Sequence, residues 1–199
     1  MPKLSPLARA RKVKLLLFDV DGVLTDGKLF FLPDRQSNQP TELSAHGSIE
    51  FKGFHAHDGV ANSLARIGGL RTGLITRRYS ETVALRARDL KLDFLCQGIQ
   101  DKGTAFKKIV QDAGLKLEEA AFVGDDVVDL PAMRAGGFAV AVNNARAEVK
   151  KEAHYITPHA GGDGALRDAV EFILKAQNKW KKTVDAYLEE GSPRVQQRE

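Results

Sequence analysis

Two aspartates two positions apart are the first group in this chain that could carry out a reaction. Asp19-Val20-Asp21-Gly22 follows an apolar run, Val13–Phe18, broken only by Lys14. Thr76 follows a second run, Leu70–Ile75. Lys102 follows a short third run, Asp93–Cys96, after a loop, and Gly124-Asp125-Asp126 follows a fourth, Ala120–Val123. Carboxylates crowded together repel, so at neutral pH they need a cation or raised pKa values. Oxygen donors without clustered Cys or His suit Mg²⁺. A divalent ion, a carboxylate free to attack, a hydroxyl and a lysine together describe phosphoryl transfer, because the cations neutralise the phosphoryl oxygens while the carboxylate acts as nucleophile. Asp19 and Asp21 point in similar directions if the chain stays extended. One can then attack while the other protonates the leaving alcohol and later takes a proton from water. Gly22 and Gly27 permit a tight backbone path. No Walker-A pattern occurs, which argues against a P-loop nucleotidase.

Unalternating apolar runs of four to six residues predict strands buried on both faces, and Phe138–Val142 adds another. Helical spacing occupies His57–Ile67, Ser80–Leu90, Lys102–Ala113, Asp129–Arg134 and Ala165–Ala176, with Ser80 as an N-cap and Gly114 closing its helix. Strands alternating with helices argue a parallel sheet covered on both faces, whose ligands bind beyond the strands' carboxyl ends. That edge is where the polar residues emerge. Lys28–Leu32 and Ile49–Phe54 break the rhythm, as two strands joined by the polar segment Pro33–Ser48. They predict a β-hairpin flap at about 28–54 with a flexible tip. One domain over 1–178 and a C-terminal tail over 179–199, helical to about Glu190, complete the organisation.

The composition sets bounds on this reading. A chain of 199 residues with 43% apolar and 28% charged side chains suits a single well-filled core. A net charge of +4 is too thin for nucleic acid. Cys96 is the only cysteine, which excludes an intrachain disulfide and a multi-Cys zinc site. No apolar run approaches the roughly 20 residues of a membrane span, and Val13–Val20 is too short for a signal segment and ends beside charge. A cytoplasmic protein without a membrane or nucleic-acid partner is expected.

The segment Phe18-Asp19-Val20-Asp21-Gly22-Val23-Leu24-Thr25-Asp26-Gly27 resembles the first motif of the haloacid dehalogenase-like phosphatases. Leu74-Ile75-Thr76 is similar to their second motif, Lys102 to the third and Gly124-Asp125-Asp126-Val127-Val128-Asp129 to the fourth. The order and spacing match over roughly Lys14 to Leu174. Phe54 to Gly59, Arg86-Ala87-Arg88, Gln97-Gly98 and Gly161-Gly162-Asp163-Gly164-Ala165-Leu166-Arg167 further resemble the 3-deoxy-D-manno-octulosonate 8-phosphate phosphatase group. The resemblance implies a three-layer, Rossmann-like α/β domain with a central parallel sheet, the inserted flap and no large cap domain. It implies Mg²⁺, a small phosphorylated sugar acid as substrate, a place in lipopolysaccharide sugar synthesis, and a homotetramer in which a neighbour's flap and tail close the site. By motif, Asp19 forms the aspartyl-phosphate, and Asp21 is general acid/base. Asp19, Asp21 (through its carbonyl) and Asp125 hold the metal, with Asp126 in support. Thr76 and Lys102 meet the phosphoryl group, Asp129 orients Lys102, and Arg78, His57 and Arg86 contact substrate.

Two positions depart from that pattern. Arg77 stands where the group usually has Gly, and His57 where it has Arg or Lys. The flap tip is also long. Bidentate arginine is the natural reader of a sugar-acid carboxylate, so a phosphatase for another sugar-acid phosphate, of the sialic type, stays open. So do a receiver-like module that accepts phosphate without hydrolysis and an idle oligomerisation subunit. Several residues also have plainer roles to fill. Asp126 and Asp129 suit a helix N-terminus, Arg78 and Arg86 suit a solvated helix face, and His55-x-His57 lacks the further ligands of a zinc site. Phe30, Phe31, Phe51 and Phe54 are expected to pack flap against flap, since two-stranded ribbons are marginal alone.

Overall fold

The runs at Val13–Phe18, Leu70–Ile75, Ala120–Val123 and Phe138–Val142 form strands buried on both faces, whereas Asp93–Cys96, expected to be buried in the same way, forms an edge strand with Leu95 exposed. The polar residues that follow these runs leave the sheet at one edge. A computed structural model describes residues 4–33 and 48–191. In chain order these form α1 (Pro6–Ala10), β1 (Leu15–Phe18), β2 (Phe30–Pro33), β3 (Ser48–Phe51), α2 (Ala56–Ile67), β4 (Arg71–Ile75), α3 (Glu81–Asp89), β5 (Phe94–Cys96), α4 (Lys102–Asp112), β6 (Ala120–Gly124), α5 (Leu130–Ala135), β7 (Phe138–Ala141), α6 (Ala147–Glu152), β8 (Tyr155–Ile156), α7 (Ala165–Ala176) and α8 (Trp180–Gly191). Six parallel strands make one sheet in the order β5-β4-β1-β6-β7-β8, and β2 and β3 form a separate antiparallel ribbon. Every residue of β1, β6 and β7 is buried. Helices α1, α2, α7 and α8 pack with one another, as do α4, α5 and α6, and the sheet lies between helical layers. No helix among the described residues is long and apolar enough to cross a membrane.

Helix ends follow the local chemistry. Ser80 Oγ accepts from Val83 N–H at the start of α3, Asp101 Oδ1 accepts from Thr104 N–H at the start of α4, and Gly114 takes a φ of 69° beyond the end of α4. The short α1, α6 and β8 carry too few residues for a periodic signal and were not foreseen. The ribbon strands are also shorter than expected, and the flap tip lies outside the described residues. Phe54 falls beyond β3 and packs against the domain core, with the Arg86 guanidinium 5.4 Å above its ring, instead of joining the exposed ribbon.

The chain does not stay extended past Asp19, the condition under which Asp19 and Asp21 would point in similar directions. The chain turns immediately after β1: Val23, Leu24 and Thr25 N–H groups all donate to Val20 O. The turn is wedged against the segment before α7. A Cβ on Gly161 would stand 1.7 Å from Gly22 O, while Gly162 N–H donates to Val23 O at 3.0 Å. Gly161 and Gly162 are thus close-approach glycines that brace the Asp19–Asp26 loop of the same chain. Replacing Gly161 with Ala is expected to cost about 1–3 kcal/mol by overpacking, read as a lowered urea midpoint with the slope unchanged. An unaltered midpoint would contradict the close approach.

Candidate active site

Strand register assembles the site. Phe18 pairs with Leu74 on one side and Val123 on the other, and Asp19 N–H donates to Val123 O at 3.1 Å. The residues following β1, β4 and β6 therefore emerge side by side as Asp19, Thr76 and Asp125. Lys102, at the first turn of α4, reaches in with its side chain 1% exposed. Its Nζ lies 2.8 Å from Asp19 Oδ1 and 2.7 Å from Asp129 Oδ1. The Asp19 contact is an ion pair outside hydrogen-bond geometry, whereas Asp129 accepts a true hydrogen bond. The second oxygen of Asp129 accepts from the Asp125 and Asp126 backbone N–H groups at 2.9 and 3.3 Å. Gly124 makes this possible, since a Cβ there would stand 2.5 Å from the Asp129 Cβ. Gly22, at φ +92°, makes the matching allowance for Asp125, whose Oδ2 lies 2.2 Å from where a Cβ would be.

This crowding perturbs the acids. Burial, and then the charge of Asp129, push the Asp19 carboxyl up to about 7 despite the opposing Lys102 ammonium. Burial, followed by the charges of Asp129, Asp19 and Asp126, pushes Asp125 up to about 8. Burial works against the Lys102 ammonium, but its pairing with Asp19 and Asp129 outweighs that and holds its pKa above the ordinary lysine value.

Carboxylate oxygens of Asp19, Asp125 and Asp129 lie within 4.8 Å of one another, and Asp125 Oδ1 is buried with no hydrogen-bond partner. An all-oxygen donor set with an orphaned buried acceptor fits a hard divalent cation. Both Asp129 oxygens are already engaged, which leaves Asp19 and Asp125 as the available carboxylates. Asp126 is exposed, and its Oδ1 caps the turn that follows by accepting from Val127 N–H at 2.6 Å, the plainer of its two expected roles.

The remaining expected residues divide. Arg78 is at the site, with Nη2 2.6 Å from Glu50 Oε1 and Nε 3.6 Å from Asp21 Oδ2. Arg86 is not brought to the acids. It pairs with Asp89 at 2.5 Å and lies over Phe54, bracing α3 against the start of α2. His57 is exposed and stacks edge-on against His55, which pairs with Asp163 at 3.8 Å, so this corner serves the Gly161–Gly164 loop. Beside it, buried Asp58 accepts from the Arg167 N–H and tethers the start of α7 to α2. Arg77 turns outward to Gln100 Oε1, at 3.2 and 2.6 Å, so its departure from Gly adds no charge beside Asp21. Two residues were missed altogether. Glu50 and Lys52 project from the ribbon's inner face to Asp21 and Arg78, with Lys52 Nζ 2.5 Å from Asp21 Oδ1. Opposite charges two apart, alternating with Ile49 and Phe51, were the available signal.

A groove of about 610 Å³ at the opposite edge of the sheet is also lined with cations. Three of them are already engaged: Arg11 donates to Ala176 O, Lys179 donates to Gly68 O, and Lys14 pairs with Glu119.

Comparison with known proteins agrees with this arrangement. Residues 75–167 match the family model of the haloacid dehalogenase-like hydrolases. The 3-deoxy-D-manno-octulosonate 8-phosphate phosphatase KdsC of Escherichia coli K12 is 33% identical over 173 residues, 87% of this chain and 85% of its own, and that of Yersinia pestis is 34% identical over the same shares to within a percent. Among solved structures, the 3-deoxy-D-manno-octulosonate 8-phosphate phosphatase of Moraxella catarrhalis, in complex with magnesium, phosphate and KDO, superposes with a TM-score of 0.81 at 32% identity, covering 92% of this chain and 97% of that one. A probable YrbI family phosphatase of Pseudomonas syringae pv. phaseolica gives 0.83 at 37% identity over the same shares. The four-motif edge and these relatives together make the chain a member of the haloacid dehalogenase-like hydrolases, within their phosphatases.

Proposed function

We propose that the protein is a Mg²⁺-dependent phosphomonoester hydrolase that works through an aspartyl-phosphate on Asp19, with 3-deoxy-D-manno-octulosonate 8-phosphate as its substrate. The observation that carries this reading is the buried Lys102 poised between Asp19 and Asp129, beside an Asp125 oxygen with no partner. The relatives' shared activity supports the substrate, as does the outward turn of Arg77. An occupant of the lipopolysaccharide sugar route is expected in the cytoplasm.

Asp19 and Asp125, with the Asp21 carbonyl, would hold Mg²⁺, which supplies positive charge to the phosphoryl oxygens and lets the buried acids ionise. Asp19 attacks phosphorus from the end of β1, where the sheet register fixes it. Lys102 neutralises charge shared by Asp19 and the phosphoryl group, and Asp129 holds the lysine in place. Thr76 donates its hydroxyl to a phosphoryl oxygen. Asp21, turned away from Lys102 towards the ribbon, is placed to protonate the departing alcohol and then to take a proton from the water that frees the phosphate. This second acid favours hydrolysis over a long-lived phosphorylated switch.

Phosphate release from the octulosonate ester should require Mg²⁺, and Asp19→Asn should lower kcat by about 10³-fold or more, since the nucleophile is lost. Comparable kcat/KM across unrelated phosphate esters would overturn the narrow substrate, and an active Asp19→Asn variant would overturn the mechanism.

The raised acids also give a pH signature. A carboxyl held near 7 or 8 in the fold, against 3.8 in the unfolded chain, keeps a proton that unfolding would release. Its contribution to stability is complete below about pH 4 and is lost as pH rises through about 7 and 8. The metal-free protein should therefore lose thermal stability from about pH 4 to about pH 8, and the Tm gain from Mg²⁺ should grow over the same range as protons stop competing for the ligands. A gain that shrinks with rising pH would contradict this.

We also read the outer ribbon face, where Phe30, Leu32, Ile49 and Phe51 are each about half exposed, as a subunit contact in a homotetramer. Light scattering should return four times the 21.8 kDa chain mass, and a monomer would refute the assignment.

A further inference from the structure

The base of the ribbon carries a buried cation that none of the steps above uses. Lys52 follows β3 and has a side chain only 1% exposed, although Phe51 and Gly53 on either side of it are exposed. Its Nζ lies 2.5 Å from Asp21 Oδ1 and 3.3 Å from Glu50 Oε1. Glu50 is itself fixed, since Oε1 accepts from Arg78 Nη2 at 2.6 Å and its backbone carbonyl accepts from the Thr82 hydroxyl at 3.2 Å. Asp21, Lys52, Glu50 and Arg78 thus alternate in sign around a neutral ring. Burying a lysine is costly unless it is paired, and this one is paired chiefly with the second acid of the reaction.

The ring treats the two oxygens of Asp21 differently. Oδ1 receives Lys52, whereas Oδ2 faces Arg78 Nε at 3.6 Å, beyond hydrogen-bond reach, and that Nε has no other partner. A neutral carboxyl with its proton on Oδ2 still accepts from Lys52 through Oδ1, so this contact is compatible with both forms of the acid.

We propose that Lys52 is a positioning residue that pins Asp21 through Oδ1 and so makes Oδ2 the oxygen that delivers the proton. The proposal rests on the phosphatase reading and deepens it. In the first step a bond forms between an Asp19 oxygen and phosphorus, the ester P–O bond breaks with its electron pair on the alcohol oxygen, and the Asp21 Oδ2 proton moves to that oxygen. In the second step a water oxygen bonds to phosphorus, the bond to Asp19 breaks, and a water proton returns to Oδ2. Between the steps Asp21 is a carboxylate whose charge Lys52 offsets. Glu50 and Arg78 keep the lysine aimed.

The dependence on leaving group tests this. An alkyl phosphate, such as a sugar alcohol ester, needs its leaving oxygen protonated, whereas p-nitrophenyl phosphate departs as a stable phenolate. With the full chain saturated in Mg²⁺, kcat/KM reports events through formation of the aspartyl-phosphate. Lys52→Met should lower kcat/KM for the alkyl ester by about tenfold more than for the aryl ester, because misplacing a general acid costs only the reaction that needs it. Lys52→Arg should restore most of the difference, and the alkyl loss should lie in kcat. Equal losses on both esters would make Lys52 a packing residue, and a loss confined to KM would make it a substrate ligand. Either result overturns the proposal. Wild-type protein inactive on both esters would instead overturn the phosphatase reading beneath it.

Discussion

The site is organised around one ammonium group taken out of water. Lys102 is almost wholly buried and touches two carboxylates, Asp19 from the end of β1 and Asp129 from the turn after β6. Neither charge type would tolerate this interior alone. Removing one partner of such a buried pair typically costs about 3–5 kcal/mol, because the other is left uncompensated. The lysine therefore ties together three separate segments of chain, including the start of α4. Asp129 extends the tie by using its other oxygen to hold the Asp125–Asp126 backbone. The cost of the arrangement is an excess of negative charge around Asp19 and Asp125 that one lysine does not cancel. Burial, and then that excess, raises both acids, and the two together make a divalent ion at this position physically sensible.

Backbone rather than side-chain packing sets how closely the acids approach. At Gly22 and Gly124 the missing Cβ is occupied by the carboxylates of Asp125 and Asp129, and at Gly161 by the carbonyl of Gly22. The motif loops thus press on one another without intervening side chains, and the segment before α7 braces the loop that carries Asp19 and Asp21. On the other side of Asp21 the ribbon contributes its own charges, so the two acids answer to different partners. Asp19 belongs to the sheet and Lys102, and Asp21 to the ribbon and Lys52.

The sheet and its edge were legible in the amino-acid sequence because burial on both faces leaves unbroken apolar runs, and the residue ending each run is chemically distinctive. The order of Asp19, Thr76, Lys102 and Asp125 along the chain was enough to place them together. Glu50 and Lys52 were not found, because charges on a two-stranded ribbon look like a solvated face until the ribbon is seen to fold back over Asp21. The motif position of Arg86 does not record that its guanidinium lies over Phe54 and close to Gly59. Nor does the position of His57 record its packing against His55 beside Gly164. Such outcomes are set by contacts between elements distant in sequence, which no local pattern records.

The central claim is that the Asp19 carboxylate bonds to phosphorus, and the most direct measurement is to trap that bond. Protein mixed with Mg²⁺ and substrate, quenched within milliseconds and reduced with borohydride, would convert a phosphorylated aspartate to homoserine, which peptide mass spectrometry locates. The account expects homoserine at position 19 and at no other acid. Homoserine at Asp125 or Asp21, or none at any acid while phosphate is released in a burst, would contradict it.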